Sequence, residues 1–170
     1  MKIYRAVYCF ILLITGCSRT SDYSDSDNNY LNDIGGILYD HQTDNREFQL
    51  CDSTKVTTSR SALTLNGSSN NVSTACLDVF EFVESFESFS GFITIRFMVN
   101  CHNEADRFRI STMDWDFSLK ECPAELKNHL LEIVKSLKGW EHSSRVNPNL
   151  DVAKFINFKI INGRLENVLQ

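Results

Sequence analysis

The sequence predicts an α+β domain in which an antiparallel sheet packs helices against one of its faces. Residues 92–100 and 107–112 alternate apolar and polar side chains, the pattern of strands with one buried face. Residues 123–138 instead repeat apolar side chains at helical spacing. Asn162-Gly163 is the strongest two-residue signal for a hairpin turn. The strands expected on either side of that turn are residues 153–161 and 165–169.

The first elements of the domain are predicted to be short. Residues 48–56, around Cys51, and residues 62–65 are candidate strands, and a loop rich in Ser, Asn and Gly follows. Residues 77–87 then predict an amphipathic helix, because apolar side chains recur three and four positions apart with glutamates largely opposite. The apolar stripe of this helix consists of Val79, Phe82, Val83 and Phe86.

The next two elements are predicted to form a β-hairpin whose turn contains Cys101-His102-Asn103. Alternation assigns the side chains of its first strand to two faces. The buried face carries Ile93, Ile95, Phe97 and Val99, and the other carries Thr94, Arg96 and Met98. Phe108 and Ile110 are expected to point inward from the second strand.

The helix at residues 123–138 has predicted ends as well as a predicted buried face. Pro123 suits the first turn, where its missing amide removes no helical hydrogen bond, and Gly139 is the expected C-cap. Trp140 is expected to close the core behind the helix. The buried stripe consists of Leu126, Leu130, Ile133, Val134 and Leu137.

The N-terminus carries the features of an export signal. Lys2 and Arg5 precede an apolar run, residues 6–14, that is too short to cross a bilayer as a permanent helix. The run ends in Ile14-Thr15-Gly16-Cys17, which resembles the lipobox of bacterial lipoproteins. In that motif the cysteine is linked to diacylglycerol before the signal is cleaved, so Cys17 is the expected lipidation site.

The chain is therefore expected to divide into three parts. Residues 1–16 form the signal peptide, residues 17–44 a flexible acidic tether and residues 45–170 the folded domain. The lipid anchor makes the membrane one expected partner. Ser18, rather than an aspartate, follows the lipidated cysteine, and this favours the outer membrane within the cell envelope.

Cysteine usage agrees with export. Once Cys9 leaves with the signal and Cys17 is lipidated, an even number of cysteines remains, which predicts two disulfides outside the cytosol. Those four are Cys51, Cys76, Cys101 and Cys122. The sequence leaves all three pairings open. None of the four is closely spaced as in C-x₂-C, so no metal site is expected.

Composition and motifs argue against several classes of function. Without Lys2 and Arg5 the chain keeps 15 basic against 22 acidic residues, a net charge of about −7 that disfavours nucleic acid. The sequence contains no G-x-S-x-G, H-E-x-x-H or phosphate-cradling glycine loop. No catalytic residue and no cofactor is therefore expected.

Two local clusters have alternative interpretations. Glu125 lies four residues before His129 and predicts a surface pair rather than a catalytic dyad. Asp114 and Asp116 flank Trp115, an arrangement able to bind a cation or a sugar. A loop that tucks Trp115 onto the core is the favoured interpretation, because calcium-loop spacing is absent.

Three blocks of the sequence together resemble the C-terminal domain of TonB. They are F-I-T-I-R-F-M-V-N (92–100) with R-F-R-I-S (107–111), P-A-E-L-K-N-H-L-L-E-I-V-K-S-L-K-G-W (123–140), and K-F-I-N-F-K-I-I-N-G-R-L (154–165). The resemblance covers residues 77–170. More specifically, the chain resembles the uncharacterised TonB-like proteins that are common in Bacteroidota. It implies a fold that binds extended peptide by strand addition at a sheet edge.

The chain also departs from TonB in ways that argue against energy transduction. A TonB transducer has an uncleaved membrane helix and a long Pro-rich span, whereas this chain has a lipobox and only Pro123 and Pro148. The tyrosine-proline motif ahead of the first helix is missing, since residues 70–77 read N-N-V-S-T-A-C-L.

The expected function is a lipid-anchored module that binds a protein or peptide partner in the envelope. The contact is expected at an edge strand, residues 107–112 or 165–169, with Phe80, Met98 and Trp115 as candidate partner-binding residues. A structural or stress-related envelope lipoprotein is the alternative, followed by a cell-wall or glycan enzyme.

Overall fold

The computed structural model describes residues 36–68, 70–143 and 147–170, together with the backbone but not the side chain of Arg60. This part of the chain is a mixed α+β structure, as predicted. Its strands are β1 (Val56–Thr57), β2 (Leu63–Leu65), β3 (Gly91–Val99), β4 (Ala105–Met113), β5 (Trp140–His142), β6 (Asp151–Ile161) and β7 (Arg164–Leu169). Its helices are α1 (Asn70–Val79) and α2 (Ala124–Ser136), with short 3₁₀ turns at Arg60–Ala62 and Glu84–Phe86.

The main sheet is built on two long antiparallel strands, β3 and β6, at its centre. On the other side of β3 lies β4, in the predicted hairpin. Two strands lie on the other side of β6. Strand β7 pairs with the C-terminal half of β6, and β1 runs parallel to the first two residues of β6. Strands β2 and β5 form a separate two-stranded sheet. The hairpin between β6 and β7 turns at Asn162 and Gly163, both at positive φ, as the sequence predicted.

The principal core lies between the helices and the first face of the main sheet. The predicted inward residues of β3 are all fully buried there, next to Ile156, Phe158 and Ile160 of β6. The predicted stripe of α2 is buried as well. Trp140 is 3% exposed, with its ring centroid 5.4 Å from that of Phe97, and so closes the core as expected.

The second face of the sheet is partly covered by residues 36–50, here called the strap. Its side chains Ile37 and Phe48 are buried against Met98 and Ala153 in a small second core. Residues 36–44, predicted to belong to the tether, instead pack on the sheet. The rest of the predicted tether lies outside the described residues.

Charged and polar bonds attach the strap to the hairpin. Arg109 makes a two-pronged salt bridge to Asp44, with 2.7 and 2.8 Å between nitrogen and oxygen, although the two residues are 65 positions apart. Arg107 and Arg109 donate to the carbonyl oxygens of Ile37 and Leu38, each at 2.8 Å. These bonds fix the start of the described chain on the second face of the sheet.

The predicted helix at residues 77–87 is wrong. Helix α1 instead runs over Asn70–Val79: it begins in the predicted loop, overlaps the predicted helix only at residues 77–79, and buries Val72 and Cys76. Phenylalanine and valine are weak helix formers. The helical spacing of the apolar residues at positions 79, 82, 83 and 86 did not outweigh this low helix propensity. The chain after Val79 is instead largely irregular, so only Phe86 of the predicted stripe is buried. The expected strand at residues 48–56 is also absent, apart from Val56 in β1.

One of the two expected disulfides is present. Cys51 is bonded to Cys101, which joins the end of the strap to the turn between β3 and β4. Cys76 and Cys122 are free and buried, each on a different helix or its flank, so the prediction of a second disulfide is wrong. The neutral environment of a core disfavours a charged thiolate. Burial accordingly raises the pKa of Cys76 to about 12 and that of Cys122 to about 11.

Thiol labelling of the purified protein should follow from this burial. A maleimide needs the thiolate, so Cys76 and Cys122 are expected to stay unlabelled in the native protein at pH 7 and to react after unfolding in guanidinium. Peptide mass mapping without reductant reads both states. Labelling of either cysteine in the native protein would contradict its position in the core.

Candidate functional site

The most open strand of the main sheet is β7. Among the described residues no strand pairs with its outer side, and its side chains are mostly exposed. The N–H of Val168 donates to Oδ1 of the neighbouring Asn167 at 2.8 Å. Unpaired backbone groups on such an edge are a template for a further strand.

Exposed apolar side chains lie beside this strand. Helix α1 contacts β7, and its last turn exposes Leu77 and Val79 by 42% and 50%. Phe82 and Val83 follow, 36% and 47% exposed. The guanidinium carbon of Arg164, the first residue of β7, lies 4.1 Å from the centroid of the Phe82 ring. Strand β7 and these four apolar residues are called the β7 edge surface.

The segment that presents Phe82 and Val83 is held against α2. Phe80 is half-buried, with its ring 5.3 Å from that of His129, and the N–H of Glu81 donates to Nε2 of His129 at 3.3 Å. Ser85 donates to the carboxylate of Glu125 at 2.6 Å. The backbone therefore has fixed points on both sides of Phe82, although no helix runs through it.

Strand β4, the other predicted edge, is occupied at both ends. At its C-terminal end the chain folds back, so that Lys120 N–H donates to the carbonyl of Thr112 at 3.1 Å. At its N-terminal end, Asn45 N–H donates to the carboxylate of Asp106 at 2.9 Å, and Arg107 has a φ of +57° at an irregularity in the ladder. Such devices protect an edge from a further strand. The geometry therefore favours β7 over β4.

The fold-back after β4 carries a second exposed apolar cluster. Residues 114–119, called the aromatic loop, expose Trp115, Phe117 and Leu119 by 42%, 73% and 86%. Trp115 and Phe117 contact the ring of Phe92, at 5.0 and 5.9 Å between centroids. Phe92 and Met98 project from the same face of β3, so the aromatic loop and the strap cover opposite ends of that face.

The two carboxylates of the aromatic loop shape the loop itself. The N–H of Trp115 and the ammonium of Lys120 hold the pKa of Asp114 below its ordinary value. Hydrogen bonds from the hydroxyl and N–H of Ser118 do the same for Asp116. Because both carboxylates are bonded within the loop, their arrangement is accounted for without a bound cation.

A polar cavity of about 380 Å³ lies between the strap, the turn after β3 and the end of α2. Its walls include Glu47, Glu104, Lys138 and Trp140. The indole N–H of Trp140 is buried and has no hydrogen-bond partner among the described residues. The cavity therefore has two carboxylates, one ammonium group and an unpartnered indole N–H in its walls.

The candidate residues from the sequence have different positions in the structure. Phe80 is half-buried and anchors its segment to α2, while Trp115 is exposed on the aromatic loop. Met98 is fully buried beneath the strap and cannot contact a partner in this conformation, so it is withdrawn. Cys17 lies outside the described residues. The exposed residues that sequence reasoning missed are Leu77, Val79, Phe82 and Val83, which helical periodicity wrongly assigned to a buried stripe or left unassigned.

Two clusters of polar side chains among the described residues have the composition of a metal or catalytic site. Cys51, Cys101 and His102 place their ligand atoms within 4.8 Å of one another, but both sulfurs are already joined in the disulfide. Ser85 donates to Glu125 directly, while Nε2 of His129 accepts the N–H of Glu81, so the three side chains are not arranged as a Ser-His-Glu triad.

In the described part of the chain, no helix is long and apolar enough to cross a bilayer. No protein-family model, curated protein or solved structure matches the sequence or the fold. The resemblance of residues 77–170 to the TonB C-terminal domain therefore stays a prediction.

Proposed function

We propose that this protein is a lipid-anchored envelope protein whose domain binds an extended segment of a protein partner at the β7 edge surface. The partner strand pairs with the outer side of β7, and its side chains contact the apolar residues beside that strand. The protein acts as a binding or scaffolding module and does not transduce energy. The membrane holds it through lipid on Cys17.

The observation that carries the proposal is the open side of β7 next to a fixed apolar surface. Main-chain hydrogen bonds supply affinity in strand addition, and pockets for alternate side chains supply specificity. Leu77 and Phe82 offer the apolar contact, and the anchoring of Phe80 and Ser85 on α2 holds Phe82 in place before binding. A surface that is already ordered loses less entropy when its partner binds.

The lipid anchor rests on the sequence. Lys2 and Arg5, the apolar run and the Ile14-Thr15-Gly16-Cys17 box agree with one another. The resemblance to the TonB domain, whose fold binds extended peptide, supports the same kind of partner. The closed disulfide of the structure is consistent with a compartment outside the cytosol.

Site-specific photo-crosslinking in the producing bacterium tests the proposal. A benzoylphenylalanine is placed at position 77 or 82 in the full chain, and at Glu132, exposed on α2, as the matched control. We expect one protein to be crosslinked from 77 and 82 and not from 132. An adduct profile that is the same at all three positions would contradict a partner at the β7 edge surface.

Binding measurements with the crosslinked segment of that partner give the second readout. Phe82→Ser removes a partly exposed ring at the centre of the surface and is expected to weaken binding about ten-fold, as loss of an interface anchor does. Glu132→Gln serves as the control and should leave the affinity unchanged. Circular dichroism of each variant checks that the fold is retained.

A further inference from the structure

The aromatic loop exposes large apolar side chains to solvent, and hydrogen bonds order its backbone. Phe117 has a φ of +66°, a conformation that non-glycine residues rarely adopt, and it is 73% exposed. Asp114 and Asp116 accept the N–H groups of Trp115 and Ser118 and so maintain this turn. An ordered turn that exposes three apolar side chains within five residues is typical of a surface that binds something apolar.

Two lysines lie beside the aromatic loop. Lys120 pairs with Asp114 at 3.0 Å, and the ammonium of Lys159 lies 5.9 Å from the centroid of the Trp115 ring. Two lysines thus accompany two aspartates. Trp, Phe and Leu with neighbouring lysines are the side chains that occupy the interface of a bilayer, where rings lie at headgroup level and ammonium groups reach water.

The position of the strap gives the second observation. The described chain starts at Gly36 on the second face of the sheet, the face that also carries Phe92 beneath the aromatic loop. Phe92 and Met98 are six residues apart along β3, so the loop and the strap lie roughly 20 Å apart on that face. Gly36 lies 19 positions after Cys17, a distance of at most about 65 Å when the chain is extended.

We propose that the aromatic loop docks into the surface of the membrane that holds the lipid on Cys17, with Trp115, Phe117 and Leu119 at the level of the headgroups. The inference rests on the lipid anchor of the proposed function. A short covalent connection keeps the loop at high effective concentration near the bilayer, so a small apolar contact is sufficient. Docking directs the second face of the sheet toward the membrane.

Fluorescence of the reconstituted lipoprotein tests this docking. The chain has two tryptophans, and Trp140 is 3% exposed in the core, so bromine on lipid acyl chains is expected to quench Trp115 selectively. The full lipidated protein is placed in phosphatidylcholine vesicles with and without brominated acyl chains. We expect loss of the Trp115 emission in brominated vesicles.

Two variants isolate the signal. Trp115→Phe leaves only Trp140, and its emission should be the same in both kinds of vesicle. The double variant Phe117→Ser/Leu119→Ser keeps Trp115 but removes the two most exposed apolar side chains, and it should lose the quenching while circular dichroism stays unchanged. Quenching that persists in the double variant would contradict docking through the loop.

Mass spectrometry of the same preparation separates failure of the docking from failure of the anchor. If Cys17 carries diacylglycerol and Trp115 is not quenched, the docking is wrong and the anchor stands. If Cys17 is unmodified, both the proposed anchor and the proposed docking are wrong. Emission of Trp115 that depends on protein concentration and not on brominated lipid would assign the loop to contact with a second copy, which also overturns the docking.

Discussion

Replacing Cys51 and Cys101 together with alanine is expected to lower the free energy of unfolding by about 4 kcal/mol, the loop-entropy effect of a bond that closes a long segment. The bond joins residues 50 positions apart. It holds the end of the strap on the turn after β3, where the carboxylate of Asp151 also accepts the N–H groups of Cys51 and Asp52, at 3.0 and 2.8 Å. Guanidinium denaturation at pH 7 measures the difference.

A reductant provides the control for this experiment. Tris(carboxyethyl)phosphine should bring the wild type down to the stability of the double-alanine variant and leave that variant unchanged. A difference between oxidised wild type and variant smaller than about 1 kcal/mol would mean that the other strap contacts suffice without the bond, since cross-links of this length usually contribute more.

Asp44→Asn is expected to lower the free energy of unfolding by about 2–3 kcal/mol, because it leaves Arg109 without the charge that it binds in a buried site. Asp44 is 8% exposed. Burial alone raises the pKa of this carboxyl, but the hydrogen bonds from Arg109 and the Asp40 N–H outweigh it and hold the pKa below the ordinary value of 3.8. Urea denaturation of the two proteins gives the difference.

The pH dependence of that difference has a definite sign. A carboxyl whose pKa is lower in the folded state stabilises the fold above its unfolded pKa, and this contribution is lost as the pH falls through the folded value. The gap between wild type and Asp44→Asn should therefore be constant near neutral pH and shrink below about pH 4. Asp78→Asn, on the exposed surface of α1, is the matched control and should leave the free energy of unfolding at pH 7 unchanged. A gap that widens in acid would contradict the assignment.

The sequence predicted the elements whose pattern repeats over several turns or pleats. Alternation located β3, β4 and β6, helical spacing located α2, and Asn162-Gly163 located the last hairpin, because each pattern has only one period that buries its apolar side chains. The prediction for the segment after Val79 was wrong for the converse reason. Its few apolar residues fit a helix as well as an irregular chain, and tertiary contacts decided between them.

The strap could not be predicted from local pattern. Ile37 and Phe48 are single apolar residues in a polar stretch, and the bond between Asp44 and Arg109 joins distant positions with no local signal. Missing the strap also caused the error at Met98, since alternation correctly assigned that side chain to the second face but not to a covered part of it. Likewise, an even number of cysteines did not reveal that two of them fill the core.

The candidate site, too, could be predicted from the sequence only in part. Strand β7 was named as one of two edges from the sequence, because its hairpin signal is strong. The choice between the edges needed the structure, in which the fold-back at Thr112 and the strap at Asp106 occupy β4. The apolar residues beside β7 are exposed because helix α1 ends at Val79, and the sequence did not indicate that end.

Amide hydrogen exchange of the β7 backbone tests the central claim most directly. The experiment compares the free full-length protein with its complex with the peptide segment that crosslinks at positions 77 and 82. Strand addition predicts that the Val168 amide, which donates to the side chain of Asn167 in the free protein, becomes strongly protected in the complex. Protection confined to β4 or to the aromatic loop, with β7 exchange unchanged, would contradict the proposed function.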